Sequence, residues 1–451
     1  MIVTLLAFVF AGLLAIFALI QAVVVAVYCR FMRPPLQLES LPASESCAVI
    51  MALRGADANL RQNLVAHLKQ SHMSYHVHWV VDSERDPAVS VIRALPTEFS
   101  HRWTLHVLDL NSDRCSLKCL GLSQVARRLL AGSAPPRFFA FADGDGLVSN
   151  DWLVRLLSPM ANHQPQSDIA VTTGHRWYNG IPMTRQFASM GAANKSGAVN
   201  ELCLGAIVRY FWNLGSLPQM HAFRVVWGGS WAIRSQTLRT CGLLESWESS
   251  LFEDTQVRTF VERAGHRVVT APGVLVQAYE SASVWSTMRW ISRQLLDMRL
   301  YHPSFLMTLL HAGTLGVIYL LFAFLLSTGV LSGNGWLVGF VLLAFLVYQL
   351  YYVAVWWLLQ RTADTCLGAL EYSDQSRSET PRFKLKTVCW VGVGLILTQV
   401  IYPIAAVRAL VTRKVNWRGI MYRIHTPTNI QRLDYQVYSH ETKFESRTES
   451  A

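Results

Sequence analysis

The sequence predicts an α/β domain with a mostly parallel sheet, joined to α-helical transmembrane segments. Two observations lead to this fold class. The chain has 451 residues, of which 52% are hydrophobic and 15% are charged, so it is too apolar for an ordinary soluble protein. Between its long apolar segments lies a block in which short strand-like runs alternate with helical ones. We therefore expect one part of the chain to lie in a membrane and another part to fold as a globular domain.

The first apolar segment predicts an N-terminal membrane anchor. It runs from Ile2 to Tyr28, which is long enough to span a bilayer and exceeds the apolar core of a signal peptide. No basic residue precedes it, whereas Arg30 and Arg33 follow it. We interpret residues 1–29 as an uncleaved anchor with its N-terminus outside. The positive-inside rule then places the next block, residues 30–303, in the cytoplasm.

This cytosolic block alternates strands and helices in the order that a parallel sheet requires. A βαβ unit is predicted first, and a second alternation follows it. The predicted elements are Cys47–Leu53 (strand), Asn59–Gln70 (helix), Tyr75–Asp82 (strand), Trp103–Leu110 (strand), Ser116–Leu130 (helix) and Phe138–Ala142 (strand). In such sheets ligands bind beyond the carboxyl ends of the strands, where Asp82, Asp143 and Asp145 are placed.

Residues 304–411 are predicted to form a C-terminal transmembrane region with three spans. The apolar segments are Leu306–Leu331, Trp336–Leu359 and Val388–Val411. Four crossings in all would place the basic segment before the last span inside, but the equally basic tail, residues 412–451, outside. Either the last segment, which contains Pro403, is re-entrant, or one span is miscounted. We expect the tail to be polar and mobile from Thr426, after a membrane-surface element at Val415–Ile424.

The carboxylate pair Asp143 and Asp145 predicts a metal site. The two acids follow a buried strand, one residue apart, and glycines separate and follow them. Such carboxylates bind hard divalent cations, and Mg²⁺ or Mn²⁺ commonly joins them to a substrate phosphate. A calcium loop is a weaker interpretation, because the further acidic ligands are absent at the required offsets. Solvated acids in a turn are the remaining alternative.

Five motifs in order resemble the processive and lipid-acting inverting glycosyltransferases of family 2. They are Leu53–Leu64, Val80–Ile92, Gly228–Ser246, Leu251–Val268 and Ser283–Gln294, with the carboxylate pair between the second and the third. The first two motifs resemble the ceramide glucosyltransferase family, family 21, most closely. The resemblance implies a Rossmann-like catalytic domain of the GT-A type.

The resemblance also implies roles for single residues. Asp82 would contact the uracil or ribose of the donor, and Lys118 would reach a phosphate. Asp143 and Asp145 would hold the metal on the diphosphate. The general base would be Asp254, with its neighbour Glu253 as the second candidate.

The motif at Ser283–Gln294 implies further donor contacts. Arg289 and Trp290 match the arginine and tryptophan of the family, whereas Ser286 stands where the family has Gln or Arg, which leaves one polar contact in doubt. The same segment, at about residues 283–303, has the aromatic and basic composition of an interfacial helix.

A strand end upstream offers weaker candidates for the sugar pocket. His175, Arg176 and Trp177 follow an apolar run, although a histidine at such a position is often merely packed.

We therefore expect an integral membrane glycosyltransferase whose catalytic domain faces the cytoplasm. It would move a hexose, with glucose as the expected sugar, from a UDP-sugar to a lipid hydroxyl such as that of ceramide. A processive polysaccharide synthase of the hyaluronan or cellulose type is the first alternative, and a non-catalytic membrane scaffold is the second. The net charge of +11 does not indicate nucleic acid, because the basic residues flank apolar segments and form no stripe with aromatic residues.

Overall fold

The computed structural model describes residues 2–33, 41–42, 45–71, 74–161, 168–178, 204–278, 282–368 and 385–438, with the backbone alone for residues 385–388. The strands are β1 (Cys47–Leu53), β2 (Tyr75–Val81), β3 (Trp103–Val107), β4 (Phe138–Ala142), β5 (Gly146–Leu147), β6 (Ile169–Tyr178), β7 (Ser230–Arg234), β8 (Arg267–Ala278), β9 (Lys414–Trp417), β10 (Ile420–Thr426) and β11 (Asn429–Arg432). The helices are α1 (Ile2–Phe31), α2 (Leu60–Leu68), α3 (Pro87–Arg93), α4 (Leu117–Leu130), α5 (Trp152–Ala161), α6 (Leu204–Ala222), α7 (Ser235–Thr240), α8 (Leu243–Trp247), α9 (Val257–Arg263), α10 (Val284–Tyr301), α11 (Phe305–Leu331), α12 (Gly335–Gly368) and α13 (Leu385–Val411).

Within the described residues, β1 to β8 form one mixed sheet in the order β3-β2-β1-β4-β7-β6-β8-β5. The pairs β1–β2, β2–β3, β1–β4 and β6–β8 are parallel, whereas β4–β7, β6–β7 and β5–β8 are antiparallel. The predicted α/β fold of the GT-A type, with a mostly parallel sheet, is confirmed. Because β1, β2 and β4 run in parallel, their carboxyl ends meet at one edge of the sheet.

Both faces of the sheet are covered, which explains why β1 and β4 are apolar at every position. All five residues of β4 are buried. On one face Phe139 and Phe141 pack in the core that includes α4, whereas on the other Phe138 and Ala140 pack with α2 and α5. A continuous apolar run is what a strand buried on both sides requires.

Four helices among the described residues are long and apolar enough to cross a membrane, and they make the protein an integral membrane protein. They are Ile2–Phe31, Phe305–Leu331, Gly335–Gly368 and Cys389–Val411. The third is longer than predicted, because the helix continues beyond Leu359 to Gly368. In the fourth, 50% of the residues in the apolar window are buried, whereas in each of the other three no more than 22% are. The reason is that α13 packs on α6 and α10.

Part of the predicted tail is folded. Strands β9, β10 and β11 form an antiparallel three-stranded sheet, which we call the C-terminal sheet. It packs on the α/β domain: the Arg432 amide donates to the Asp113 carbonyl (2.7 Å), and the Tyr301 hydroxyl donates to the Pro427 carbonyl (3.0 Å). The expectation of a mobile chain from Thr426 is therefore wrong for β11. Residues 439–451 lie outside the described residues.

Candidate active site

A polar cavity of about 340 Å³ lies at the carboxyl ends of β1, β2 and β4. Residues from these three strand ends line it together with residues from α4, α10 and the C-terminal sheet. The predicted site residues in its lining are Asp82, Lys118, Asp143, Asp145, Glu253, Asp254 and Trp290. Side chains from distant parts of the sequence therefore meet at the edge of the sheet where ligands bind in parallel α/β folds.

Glycines let the two acids after β4 leave the sheet. A Cβ atom at Gly144 would lie 2.7 Å from Cδ2 of Leu53, and one at Gly146 would overlap Val276. Only glycine fits both positions without moving the core. Asp143 and Asp145 are thereby held at the polar cavity while the chain turns into β5.

Lys118 connects the carboxylate pair to the second acidic pair. Its Nζ lies 2.6 Å from Asp143 Oδ1 and 2.6 Å from Glu253 Oε1. Burial alone would lower the pKa of Lys118, but the carboxylates of Asp143, Glu253 and Asp254 raise it above its ordinary value. The lysine is therefore a fixed positive charge in the cavity, and the phosphate contact that the resemblance implies for it stays a prediction.

Arg176 of β6 brings a second positive charge to the carboxylate pair. Its guanidinium lies 3.7 Å from Asp143 Oδ2 and 3.7 Å from Asp145 Oδ2, and it stacks 5.0 Å from the ring of Trp227. Although burial raises the pKa of Asp143, Lys118 and Arg176 together lower it below its ordinary value. Asp143 is therefore ionised at neutral pH.

The carboxylate pair fits Mg²⁺ or Mn²⁺ when a substrate supplies further ligands. Among the residues that the structure describes, no group of three or more His, Cys, Asp and Glu side chains could hold a metal ion by itself. Mg²⁺ commonly binds one or two carboxylates and completes its shell with water and phosphate oxygens. Asp143 and Asp145 provide those carboxylates next to a cavity that is open to a diphosphate.

The second acidic pair follows α8, in the loop that leads to α9. Asp254 Oδ2 accepts a hydrogen bond from the Gly228 amide (2.6 Å), and Oδ1 accepts one from the Thr255 amide (2.8 Å). A Cβ atom at Gly228 would lie 2.8 Å from Asp254 Oδ2 and would overlap Glu253. The glycine before β7 is thus required for the close approach of its backbone to both acids.

The two acids of this pair have different surroundings. Glu253 is buried against Lys118, and burial raises its pKa to about 7, with Lys118 opposing and Asp254 and Asp143 adding to the shift. Asp254 instead lies where the polar cavity meets a second cavity. Of the two candidate bases, Asp254 is therefore the one that lines both cavities.

The second cavity, which we call the bundle cavity, has a volume of about 190 Å³ and extends between α1, α6, α10, α11, α12 and α13. Many of its lining side chains are large and apolar, among them Phe211, Trp212, Leu315, Trp356 and Leu395. The residues that line both cavities are Arg176, Trp227, Asp254, Trp290, Gln294 and Asp297. A charged cavity and a largely apolar one thus meet at Asp254.

Helix α10 presents one face to both cavities. Trp290, Gln294 and Asp297 are spaced at i, i+4 and i+7, so they lie on the same side of the helix. Trp290 makes an edge contact with Trp212 at 5.2 Å between ring centroids, and the Arg209 guanidinium lies 4.9 Å from its ring. This places the predicted tryptophan at the junction.

Arg289 is not among the residues that line either cavity, so its role as a donor-binding residue stays a prediction. A rotation of about 100° per residue turns it away from the face of Trp290. Its guanidinium instead lies 5.8 Å from the ring of Trp285, in the first turn of α10. Arg293, one turn further along, lines the polar cavity in its place. Ser286 is also in the first turn, where its amide donates to the Ser283 side chain (3.1 Å).

Asp82 lines the polar cavity but is already paired. Arg54, at the end of β1, makes an ion pair with its Oδ2, and the Tyr435 hydroxyl donates to its carbonyl oxygen (3.2 Å). Two of the three candidates in β6, His175 and Trp177, are packed away from both cavities. His175 is buried and hydrogen-bonds the Tyr28 hydroxyl through Nδ1 (3.2 Å). Trp177 makes an edge contact with Tyr210. Of the three candidates at that strand end, only Arg176 lines a cavity.

Asp297 is a site residue that the sequence analysis missed. It is 7% exposed, and its Oδ1 has no hydrogen-bond donor among the described residues. Burial, and then the charge of Asp254, raise its pKa well above the ordinary value, which favours the protonated form of Asp297. Its spacing of seven residues from Trp290 is the one sequence signal for its position.

Asp297→Asn is expected to make the stability of the protein less dependent on pH. An acid whose pKa is higher in the folded state contributes stability that is complete below the unfolded pKa, about 4, and is lost as the pH rises through the folded value. Asparagine keeps the shape and does not ionise. Thermal unfolding of the detergent-solubilised protein should therefore show a smaller loss of stability for the variant as the pH rises above about 4. The same fall in both proteins would contradict the assignment.

The sequence matches two family models. The model described as "Glycosyltransferase like family 2" matches residues 43–295, and the one described as "Glycosyl transferase family 21" matches residues 216–430. A comparison with curated proteins gave no match.

Several solved structures are similar at low sequence identity. The mannosyltransferase PcManGT from Pyrobaculum calidifontis, in complex with GDP-Man and Mn²⁺, is 13% identical over 89% of this chain and 98% of its own, with a TM-score of 0.40. GalNAc-T7 with UDP, GalNAc and Mn²⁺ is 10% identical over 56% of this chain and 48% of its own, with a TM-score of 0.35. S. aureus TarS 1-349 in complex with UDP-GlcNAc is 14% identical over 87% of this chain and 100% of its own, with a TM-score of 0.32.

Proposed function

The chain belongs to the family 2-like glycosyltransferases and is a nucleotide-sugar-dependent enzyme, and we propose that it moves a hexose from a UDP-sugar to a hydroxyl group of a membrane lipid, with inversion. The match to family 21 and the resemblance to the ceramide glucosyltransferases favour glucose as the sugar and ceramide or a related lipid as the acceptor.

The observation that carries this proposal is the meeting of the two cavities at Asp254. The polar cavity has acids and basic side chains suited to a nucleoside diphosphate. The bundle cavity lies among the membrane helices, where an acyl chain has the same apolar surroundings as in the bilayer. A lipid held in the bundle cavity would therefore present its headgroup hydroxyl at Asp254.

The donor diphosphate would lie between the carboxylate pair and the basic side chains. Asp143 and Asp145 would hold Mg²⁺ or Mn²⁺, which would neutralise charge on the departing diphosphate. Lys118 is fixed beside the same place by its contact with Asp143, and Arg176 lies 3.7 Å from both carboxylates. These two cations are positioned before the substrate binds, so they can stabilise the charge that develops as the sugar–phosphate bond breaks.

Asp254 would remove the proton from the acceptor hydroxyl. The amides of Gly228 and Thr255 hold its two oxygens, so the carboxylate has a fixed orientation at the junction of the cavities. The hydroxyl oxygen then attacks the anomeric carbon from the side opposite the diphosphate, which inverts the configuration. Trp290 borders both substrates and would exclude water from the reacting atoms.

The polar side chains of the helix bundle favour a lipid over a growing polysaccharide. A polymer would need a continuous polar path through the membrane. Here Gln21 hydrogen-bonds His311 (2.8 Å), and Gln399 hydrogen-bonds Gln349 (3.0 Å), so these groups largely satisfy one another. A lipid acceptor needs only an apolar cavity with one polar end.

The full-length protein in detergent, incubated with a panel of UDP-sugars and a total lipid extract, tests the proposal by mass spectrometry of the products. We expect a product that partitions into organic solvent and carries one sugar. Trp290→Ala should impair use of the lipid acceptor more than hydrolysis of the donor. A water-soluble ladder of many sugar units would instead establish polysaccharide synthesis, and the absence of any nucleotide release would favour the scaffold alternative.

We also propose that the catalytic domain faces the cytoplasm and that α13 does not cross the membrane. Gly394 of α13 packs against Ile207 of α6, and Arg299 of α10 donates to the Ala409 and Leu410 carbonyls at the other end of α13. Helix α13 therefore packs along α6 and α10, which precede the other two C-terminal apolar helices in the chain. Three crossings, by α1, α11 and α12, would leave the domain and both basic segments on one side, as the positive-inside rule requires.

This topology predicts different labelling of two engineered cysteines. Ser332→Cys, in the exposed turn after α11, should react with a membrane-impermeant maleimide in intact cells. Thr428→Cys, in the exposed turn before β11, should react only after permeabilisation. The unsubstituted protein gives the background from its own cysteines. Labelling of Thr428→Cys in intact cells would mean that α13 crosses the membrane or that the domain faces outward.

A further inference from the structure

The turn that joins β9 to β10 has an arginine in an unfavourable conformation. Trp417 pairs with Ile420, so Arg418 and Gly419 form a two-residue hairpin loop. Their φ angles are 49° and 82°. Two-residue turns with positive φ at both positions strongly prefer Asn, Asp or Gly, and an arginine in the left-handed region is uncommon. Residues that are held in such a conformation often belong to a functional site.

The Arg418 side chain points to the polar cavity. Arg418 lines this cavity together with Trp417 and Tyr422 of the same sheet. Its Nη2 lies 2.8 Å from Asp57 Oδ2, and its Nη1 donates to the Arg54 carbonyl (2.7 Å). The guanidinium is also within electrostatic reach of Asp143 and Asp145.

The segment after the hairpin is attached to the same end of the cavity. Arg54 Nη2 donates to the Gln436 carbonyl (2.6 Å), and the guanidinium lies 5.5 Å from the ring of Tyr438. Gly55 permits this contact, because a Cβ atom there would lie 2.5 Å from the Tyr438 ring. The C-terminal segment therefore closes the side of the polar cavity that carries Asp82.

We propose that Arg418 is a donor-binding residue and that its guanidinium binds the diphosphate of the nucleotide sugar beneath the C-terminal sheet. The inference rests on the proposed function and extends its site to a part of the chain far from the catalytic motifs. A guanidinium matches phosphate oxygens with two parallel N–H donors. Asp57 holds this fork at the cavity in the structure, and a diphosphate would take over donors that now serve Asp57 and the Arg54 carbonyl.

Arg418→Asn separates donor binding from folding. Asparagine tolerates the left-handed conformation better than arginine, so the hairpin keeps its shape while the charge is removed. Arg423→Asn is the matched control, because Arg423 is in β10 of the same sheet and is not among the residues lining either cavity. The probe is UDP with Mn²⁺, titrated calorimetrically into the full-length protein in detergent.

We expect Arg418→Asn to raise the dissociation constant for UDP by about 10-fold to 100-fold, as loss of a charge-assisted bond does. Its thermal unfolding midpoint should be no lower than that of the wild type, and Arg423→Asn should bind UDP within about twofold. Unchanged UDP affinity of Arg418→Asn would overturn the inference, with or without a lower unfolding midpoint, because that result would leave Arg418 a structural role at most. Failure of the wild type to bind UDP would overturn the proposed UDP-sugar donor as well.

Discussion

Asp254→Asn is expected to lower the rate of sugar transfer by about 10²-fold to 10⁴-fold, which is the usual contribution of a general base. Asparagine has one side-chain oxygen, so it can accept from the Gly228 amide or from the Thr255 amide but not from both, and it cannot take a proton. Steady-state kinetics with saturating UDP-sugar and lipid give the rate. Binding of UDP, measured separately, should change by no more than a few-fold, because Asp254 acts on the acceptor.

Glu253→Gln is the matched comparison. Glu253 is buried against Lys118, so its loss should act through the lysine and cost less than loss of Asp254. A larger loss for Glu253→Gln than for Asp254→Asn would reverse the two assignments. If Asp254→Asn retained more than about a tenth of the wild-type activity, Asp254 would not be the general base, although it lies at the junction of the cavities.

Asp145→Asn is expected to remove most of the activity and to weaken UDP binding only when Mg²⁺ or Mn²⁺ is present. The reason is the shortage of other ligands: among the described residues, no third His, Cys, Asp or Glu completes a metal site with Asp143 and Asp145. Removing one of two carboxylates therefore removes half of the ligands that the protein supplies. A chelator should reduce the wild type to the same low activity.

Asp109→Asn provides the control for this change. Asp109 is an exposed acid that follows β3 near the same edge of the sheet, and it lines neither cavity. The variant should keep wild-type activity and metal dependence. Full activity of the wild type in chelator would contradict the metal site and would leave Lys118, Arg176 and Arg418 as the charges that neutralise the diphosphate.

The two cavities suggest how the enzyme keeps its substrates apart. Under the proposed function, the nucleotide sugar would occupy the polar cavity and the lipid would occupy the bundle cavity. They meet only at Asp254 and the residues beside it, where Trp290 and Trp227 surround the junction. In that arrangement the two large aromatic side chains would limit the access of water to the donor.

Local patterns in the sequence were sufficient to predict the fold class, the membrane segments and the carboxylate pair, whereas Glu253 and Asp254 followed from the family resemblance. A span depends on about 20 apolar residues in succession, and a strand buried on both faces depends on a short apolar run, so both are encoded within a few turns of chain. The positions of Asp143 and Asp145 follow from the same logic, since the carboxyl ends of parallel strands meet at one edge. Residues that are close in the sequence therefore determine these features, and the tertiary structure agrees with them.

The tertiary structure alone decided which other side chains reach the site. Arg289 and Asp297 lie on one helix, but the packing of α10 on α6 and α13 sets its rotation, which turns the first away and brings the second to Asp254. The strand-end pattern named Arg176 together with His175 and Trp177, and only the structure separates it from them, whereas no local pattern relates Arg418 of the C-terminal sheet to the carboxylate pair. Helix rotation and contacts between distant segments depend on the packing of the whole domain, and a single sequence does not display that information.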